Sequence, residues 1–158
     1  MIEILPARFP EDREVVVSIF REYVSSPSVS LEYQDYESEF ATLPGKYAPP
    51  AGCLILAWQN GQVTGCAALR PVDERVAEMK RVYVRPGHRG EGIGRQLVQH
   101  LLSSARQYGY ERVCLDVLGE FTAAQSLYRT LGFRPAPAVS FNPTPGALFL
   151  GLDLSSPG

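Results

Sequence analysis

Nine residues, VAEMKRVYV at Val76–Val84, constrain the fold more than any other stretch. They are β-branched and aromatic, the composition of a strand. Their apolar residues change parity midway: Ala77 and Met79 are odd, Val82 and Val84 even. Side chains alternate faces along a strand, so one flip means one inserted residue. The pattern predicts a β-bulge near Lys80 and Arg81 that interrupts pairing with the next strand. Pro86 and Gly87 end the strand, and RGEGIGR at 89–95 opens a helix. The apolar positions of that helix, Ile93, Leu97, Val98, Leu101, Leu102 and Ala105, recur at helical spacing.

A glycine-rich loop entering a helix offers unpaired N–H groups and the positive end of the helix dipole, both of which favour phosphate. Lys80, Arg81, Arg85, Arg89 and Arg95 place five of the fifteen Lys and Arg in sixteen residues, against one acid, Glu91. The stretch therefore reads as a local anion site. A Walker loop needs Gly-Lys-Ser/Thr where Gly94-Arg95-Gln96 stands. A dinucleotide GxGxxG starting at Gly90 needs glycine at Arg95, although Asp116 lies near the expected place of a ribose-binding acid. A third pattern, Arg/Gln-x-x-Gly-x-Gly/Ala after a bulged strand, is met at every position by Arg89-Gly90-Glu91-Gly92-Ile93-Gly94.

A second motif joins it: AAQSLYRTLGF at 123–133 matches an Ala-x-x-Leu-Tyr-x-x-Leu-Gly-Phe helix and strand start. With one strand between the two motifs, the sequence resembles the GNAT superfamily of acetyl-CoA-dependent N-acetyltransferases. The resemblance covers residues 2–154, read as a single domain, and is specific across 76–133.

The remainder is consistent with one globular domain. At 158 residues and 45% hydrophobic, the chain can bury a substantial core. No apolar run approaches the ~20 residues of a membrane span, and MIEILPARFPEDRE has no basic start or apolar stretch of a secretory signal. Cys53, Cys66 and Cys114 sit in apolar strands and read as buried free thiols in a reducing, cytoplasmic setting. With His88 and His100 they make no zinc cluster, so no metal is expected. A net charge of −2 argues against nucleic-acid binding.

Along the chain, 2–5 is a strand, and Pro10-Glu11-Asp12 starts a helix that buries Val16, Ile19, Phe20 and Tyr23. A shorter helix follows at 35–43. Strands 53–58 and 63–69 flank Asn60-Gly61, a type I′ hairpin turn. Strand 112–117, helix 122–131 closed by Gly132, a turn at 141–146 and a strand at 147–152 complete it. The order β-α-α-β-β-β-α-β-α-β-β gives an α/β (α+β) fold: a mixed sheet with a bulged central strand and helices on both faces. The helix joining strands 76–84 and 112–117 makes that pair parallel.

The resemblance implies more specific roles. The parallel strands splay at the bulge, and the pantetheine arm of acetyl-CoA lies in the gap. Val82, Tyr83 and Val84 contact it by main chain, and Val82 or Val84 supplies a donor to the thioester oxyanion. Arg89, Gly90, Glu91, Gly92, Ile93, Gly94 and Arg95 hold the phosphates. Phe121 stands where many relatives have asparagine, which leaves Ala124 as a contact. Tyr128 matches the tyrosine that reaches the coenzyme sulfur. Glu78 lies where a glutamate acts as general base in one branch; the alternative is an ion pair with Lys80 or Arg81, or a substrate anchor. Tyr33 and Tyr36, among the acids Asp35, Glu37 and Glu39, fall in the region that shapes the acceptor pocket, although alternating charges on a short helix are ordinarily its solvated face. The acceptor is expected to be a small-molecule amine, and family precedent allows a homodimer. Competing readings are a CoA-binding regulatory module without transfer and a dinucleotide-binding domain.

Overall fold

The computed structural model describes residues 1–28, 30–31 and 34–154. Its elements run β1 (Ile2–Pro6), α1 (Arg13–Ser25), α2 (Tyr36–Ala41), β2 (Cys53–Gln59), β3 (Gln62–Pro71), β4 (Val76–Val84), α3 (Ile93–Gln107), β5 (Arg112–Val117), α4 (Thr122–Thr130), β6 (Arg134–Pro135) and β7 (Leu148–Asp153). This is the expected order. One correction falls at the first helix, which begins at Arg13: Pro10–Asp12 form a turn instead, and the Asp12 carboxylate accepts the Arg8 amide at 2.8 Å.

The seven strands form one sheet in the order β1-β2-β3-β4-β5-β7-β6, and only β4 and β5 are parallel. Strand alternation divides the core in two. Ile55, Ala57, Ala67, Leu69, Ala77 and Met79 pack under α3 and α4, together with Leu97, Leu101 and Tyr128. Leu54, Leu56, Cys66 and Ala68 pack on the opposite face with Val16, Ile19 and Phe20 of α1 and Phe40 of α2. All three cysteines are buried and unpaired. Asn60 and Gly61 both take positive φ, 53° and 76°, as a type I′ turn requires.

The bulge lies where parity placed it. Cys66 faces Tyr83 and Ala68 faces Lys80, so Ala67 alone opposes Arg81 and Val82. Before it, Ala77 and Met79 belong to the α3 side; after it, Val82 and Val84 do, and Tyr83 turns to the α1 side. Arg81 absorbs the extra residue at φ 60°, a left-handed conformation that costs a non-glycine residue roughly 1–2 kcal/mol.

Its side chain holds it there. The guanidinium is 1% exposed, bonds Glu39 through Nε at 3.0 Å and Nη2 at 3.2 Å, and bonds Gln34 through Nη1 at 2.6 Å. It also lies 5.4 Å from the centre of the Tyr23 ring. Removing one partner of a pair this buried costs about 3–5 kcal/mol, more than the strain it restrains.

The bulge opens the sheet. β4 and β5 pair only at Val76↔Arg112, Ala77↔Val113 and Glu78↔Cys114. Beyond Glu78, β4 stays with β3, and β5 stays with β7. The two parallel strands therefore part, leaving a gap with β4 on one side and β5 on the other.

Candidate active site

A cavity of about 610 Å³ occupies that gap and runs from the glycine loop through the sheet to α1. One end is made by Val82, Tyr83 and Val84 of β4, the loop, and the first turn of α3. Gly92 takes φ 82° at the start of α3, a conformation that strains any residue with a Cβ. The first intrahelical bond runs from the Gln96 amide to the Gly92 carbonyl, so the amides of residues 93–95 precede it. Arg89 is anchored by one nitrogen, its Nε donating to the Val84 carbonyl at 2.9 Å, with its guanidinium 5.6 Å from the Tyr83 ring centre. Arg95 donates to the Thr130 hydroxyl at 2.8 Å.

The cationic cluster read from the sequence is smaller than expected. Arg81 is spent on Glu39, and Arg85 pairs with Glu22 at 2.9 Å and bonds the Val63 carbonyl. Lys80 faces Asp116. Only Arg89 and Arg95 of the five stand at the loop, beside His88. Glu91 is not on the cavity wall; its carboxylate lies 4.0 Å from His88.

The α4 wall carries Phe121, Ala124, Leu127 and Tyr128. Tyr128 is 6% exposed and packs edge-on against Phe133 at 5.7 Å. Among the described residues its hydroxyl makes no hydrogen bond. Burial, with the nearby Tyr23 and Asp116, pushes its pKa up, so it keeps its proton.

Glu78 is 1% exposed and does not line the cavity. Arg70 grips one carboxylate oxygen through Nε at 3.0 Å and Nη2 at 2.9 Å, and the Ser140 hydroxyl donates to the other at 2.7 Å. Its partner is therefore Arg70, not Lys80 or Arg81, and the geometry fits the ion-pair alternative rather than a general base. Tyr36 likewise misses the cavity: its ring packs against Phe40 at 5.6 Å in the α1–α2 core. Glu37 pairs on the surface with Arg21 at 2.9 Å, as a solvated face would. Tyr33 lies outside the described residues.

Residues for which the sequence suggested other roles line the α1 end. Tyr23, expected in the core, meets Tyr83 edge-on at 6.1 Å on the cavity wall. Lys80, Asp116 and Asn142 meet in the gap: Lys80 Nζ lies 3.7 Å from Asp116, and the Asn142 amide donates to the other Asp116 oxygen at 2.8 Å. Burial lowers the Lys80 pKa, while Asp116 and Glu78 oppose that fall. A lysine in a central strand was the available signal, because a charge buried there needs a partner.

Residues 16–133 match the acetyltransferase (GNAT) family. An uncharacterized N-acetyltransferase of Schizosaccharomyces pombe is 31% identical over 156 residues, spanning 98% of this chain and 96% of its own. The chain belongs to the GNAT family. It is, as such, an acyltransferase. The GNAT fold is shared with solved structures. A GNAT-family acetyltransferase from Staphylococcus aureus superposes with a TM-score of 0.82 at 19% identity, covering 98% of this chain and 100% of that one. The PaiA N-acetyltransferase of Thermoplasma acidophilum, solved with coenzyme A, does so at 0.77 and 18% identity, covering 97% and 99%. Among the described residues, no helix of this GNAT protein is long and apolar enough to cross a membrane.

Proposed function

We propose that this GNAT protein moves an acetyl group from acetyl-CoA directly to the primary amine of a small molecule. The observation that carries the reading is the single cavity joining a glycine-lined helix start to the gap between β4 and β5. A diphosphate fits the first feature by charge and backbone donors. A narrow arm bearing a thioester fits the second, where β4 beyond Glu78 is no longer paired with β5. Arg89, Arg95 and the first turn of α3 would hold the phosphates, and Val82, Val84 and Ala124 the arm. The buried, unpaired cysteines suit a reducing, cytoplasmic setting.

Transfer forms a nitrogen–carbon bond and breaks the carbon–sulfur bond. The amine, with a free pKa of about 10.4, must first lose a proton. Solvent takes that proton, and Asp116, the buried carboxylate on the cavity wall, accepts the second one as the nitrogen–carbon bond forms, while Glu78 anchors β4 to β3 through Arg70. A main-chain donor at Val82 or Val84 faces the oxyanion. Tyr128 supports the departing thiolate. A thiol titrates near 8.5 and tyrosine near 10, so complete proton transfer is uphill by about 2 kcal/mol before burial is counted. Tyr128 therefore stabilises the thiolate chiefly as a hydrogen-bond donor, and solvent supplies the final proton.

The test is a thermal-shift panel of acetyl-CoA, CoA and NAD, followed by an amine screen read by thiol release. Ligand at 100 times its Kd adds about 2.7 kcal/mol, or roughly 5–10 °C for a domain of this size. Stabilisation by NAD but not CoA overturns the reading. CoA binding without thiol release for any amine reduces it to a CoA-binding module.

A further inference from the structure

The two other ion pairs that pin β4, Arg70–Glu78 and Arg81–Glu39, close to 2.9 and 3.0 Å. Lys80 and Asp116 do not. Their side chains are 8% and 9% exposed, yet they stand 3.7 Å apart, beyond hydrogen-bond reach. Among the described residues the Lys80 ammonium makes no hydrogen bond, although it carries three donors. The side chain is buried, but its ammonium opens on the cavity, where its donors are available to whatever enters.

Their position explains the separation. The last β4–β5 pair is Glu78↔Cys114, and both strands continue in parallel. Two residues further on each strand come Lys80 and Asp116, where the next same-face pair would fall had the strands not parted. Asn142 holds one Asp116 oxygen at 2.8 Å, and is itself fixed by the Thr144 amide at 3.0 Å on its carbonyl oxygen. The other Asp116 oxygen faces Lys80 and the cavity.

We propose that Lys80 and Asp116 form a clamp for the zwitterionic head of an amino acid, Lys80 taking the carboxylate and Asp116 the amine to be acetylated. This rests on the amine-transfer reading and narrows its acceptor. The surrounding charges agree. Arg81 has all three guanidinium nitrogens engaged by Glu39 and Gln34, and Arg70 is held by Glu78, so neither supplies a free charge. The clamp is thus neutral overall with its two signs apart, which matches a zwitterion and disfavours a polyamine, whose second ammonium would meet Lys80. Burial that lowers the Lys80 pKa is relieved when an anionic oxygen arrives.

The test compares each amino acid with its amide and its decarboxylated amine, using thiol release from acetyl-CoA. The wild-type protein is expected to favour the carboxylate-bearing acceptor by about 10- to 100-fold in kcat/KM, the scale of one charge-assisted contact. In Lys80→Met that preference falls to within about threefold of unity. The double variant Lys80→Met/Asp116→Asn, which leaves no unpaired charge, serves as the folded control. In parallel, calorimetry with CoA present measures N-acetyl amino acids, which carry the carboxylate but no ammonium. They are expected to bind wild type about 10- to 100-fold more tightly than either variant.

Equal use of acid, amide and amine by wild type overturns the clamp while leaving amine transfer standing. So does a preference that survives in Lys80→Met. Lys80-dependent binding of N-acetyl amino acids without thiol release from any acceptor retains the clamp and overturns transfer.

Discussion

Tyr128→Phe separates catalysis from folding unusually well, because the hydroxyl does no structural work among the described residues. The ring keeps its edge contact with Phe133 at 5.7 Å, and the substitution strands no protein partner. Stability should change by less than about 0.5 kcal/mol, or roughly 2 °C at this chain length. CoA affinity should hold within about threefold, since at most one neutral hydrogen bond is lost. Turnover is different. The donor is lost as the thiolate forms, and a hydrogen bond to a charged group contributes about 1.5–3 kcal/mol, so kcat should fall by roughly 10- to 150-fold. Thiol release at saturating acetyl-CoA and acceptor, beside a thermal melt, measures both. The defect should shrink for an acyl donor with a more acidic leaving thiol. Full activity would make Tyr128 a packing residue. A melt lowered by more than about 4 °C would show a structural bond at the hydroxyl.

Glu78→Gln should lower the melting temperature by roughly 3–10 °C, because Arg70, about a quarter exposed, loses its counter-charge. Any loss of turnover should be uniform with pH; a loss confined to low pH would restore Glu78 as the base. Arg89→Ala should weaken CoA binding by about 10- to 100-fold, less at high salt. Gly92→Val should weaken it through backbone strain at φ 82°, since open space surrounds its Cβ position; unchanged affinity in both would move the phosphate site elsewhere. With an amino-acid acceptor, kcat/KM should rise with pH as the amine deprotonates. It should then fall below the ordinary lysine value of 10.5 as Lys80 loses its charge. The sign follows from burial lowering that pKa, opposed by Asp116 on β5 and Glu78 on β4 and reinforced by Arg81 on β4 and Arg70 on β3. Lys80→Arg should remove the alkaline limb, and an unchanged profile would assign that limb to another group.

What the sequence revealed was local, and what it hid was paired at a distance. The parity flip in β4, the Asn60–Gly61 turn and the glycine loop each express a rule written over a few residues. They led to the parallel pairing of strands 76–84 and 112–117 and to the break in that pairing. Arg81 looked like one more cation of an anion site, because its partner Glu39 lies 42 residues away on a helix whose charges read as a solvated face. That reading held for Glu37 and failed for Glu39, one turn-face round the same helix. Glu78 likewise found Arg70 across β3 rather than a neighbour on its own strand. Tyr23 has the spacing of a core residue but is drawn to the cavity by Arg81 and Tyr83. The Lys80–Asp116–Asn142 contact joins three elements through the gap itself, so it becomes visible only when the strands have parted.

The claim on which the account depends is that the gap between β4 and β5 receives the arm of acetyl-CoA. Calorimetric titration of CoA into wild type and Ala124→Trp tests it most directly, since Ala124 lines the gap from α4 and is half-buried there. One CoA per chain is expected for wild type, and a Trp variant that melts like wild type yet loses at least about 100-fold in affinity, because a bulky ring fills the arm's path. Wild-type affinity in a folded Ala124→Trp protein would contradict it.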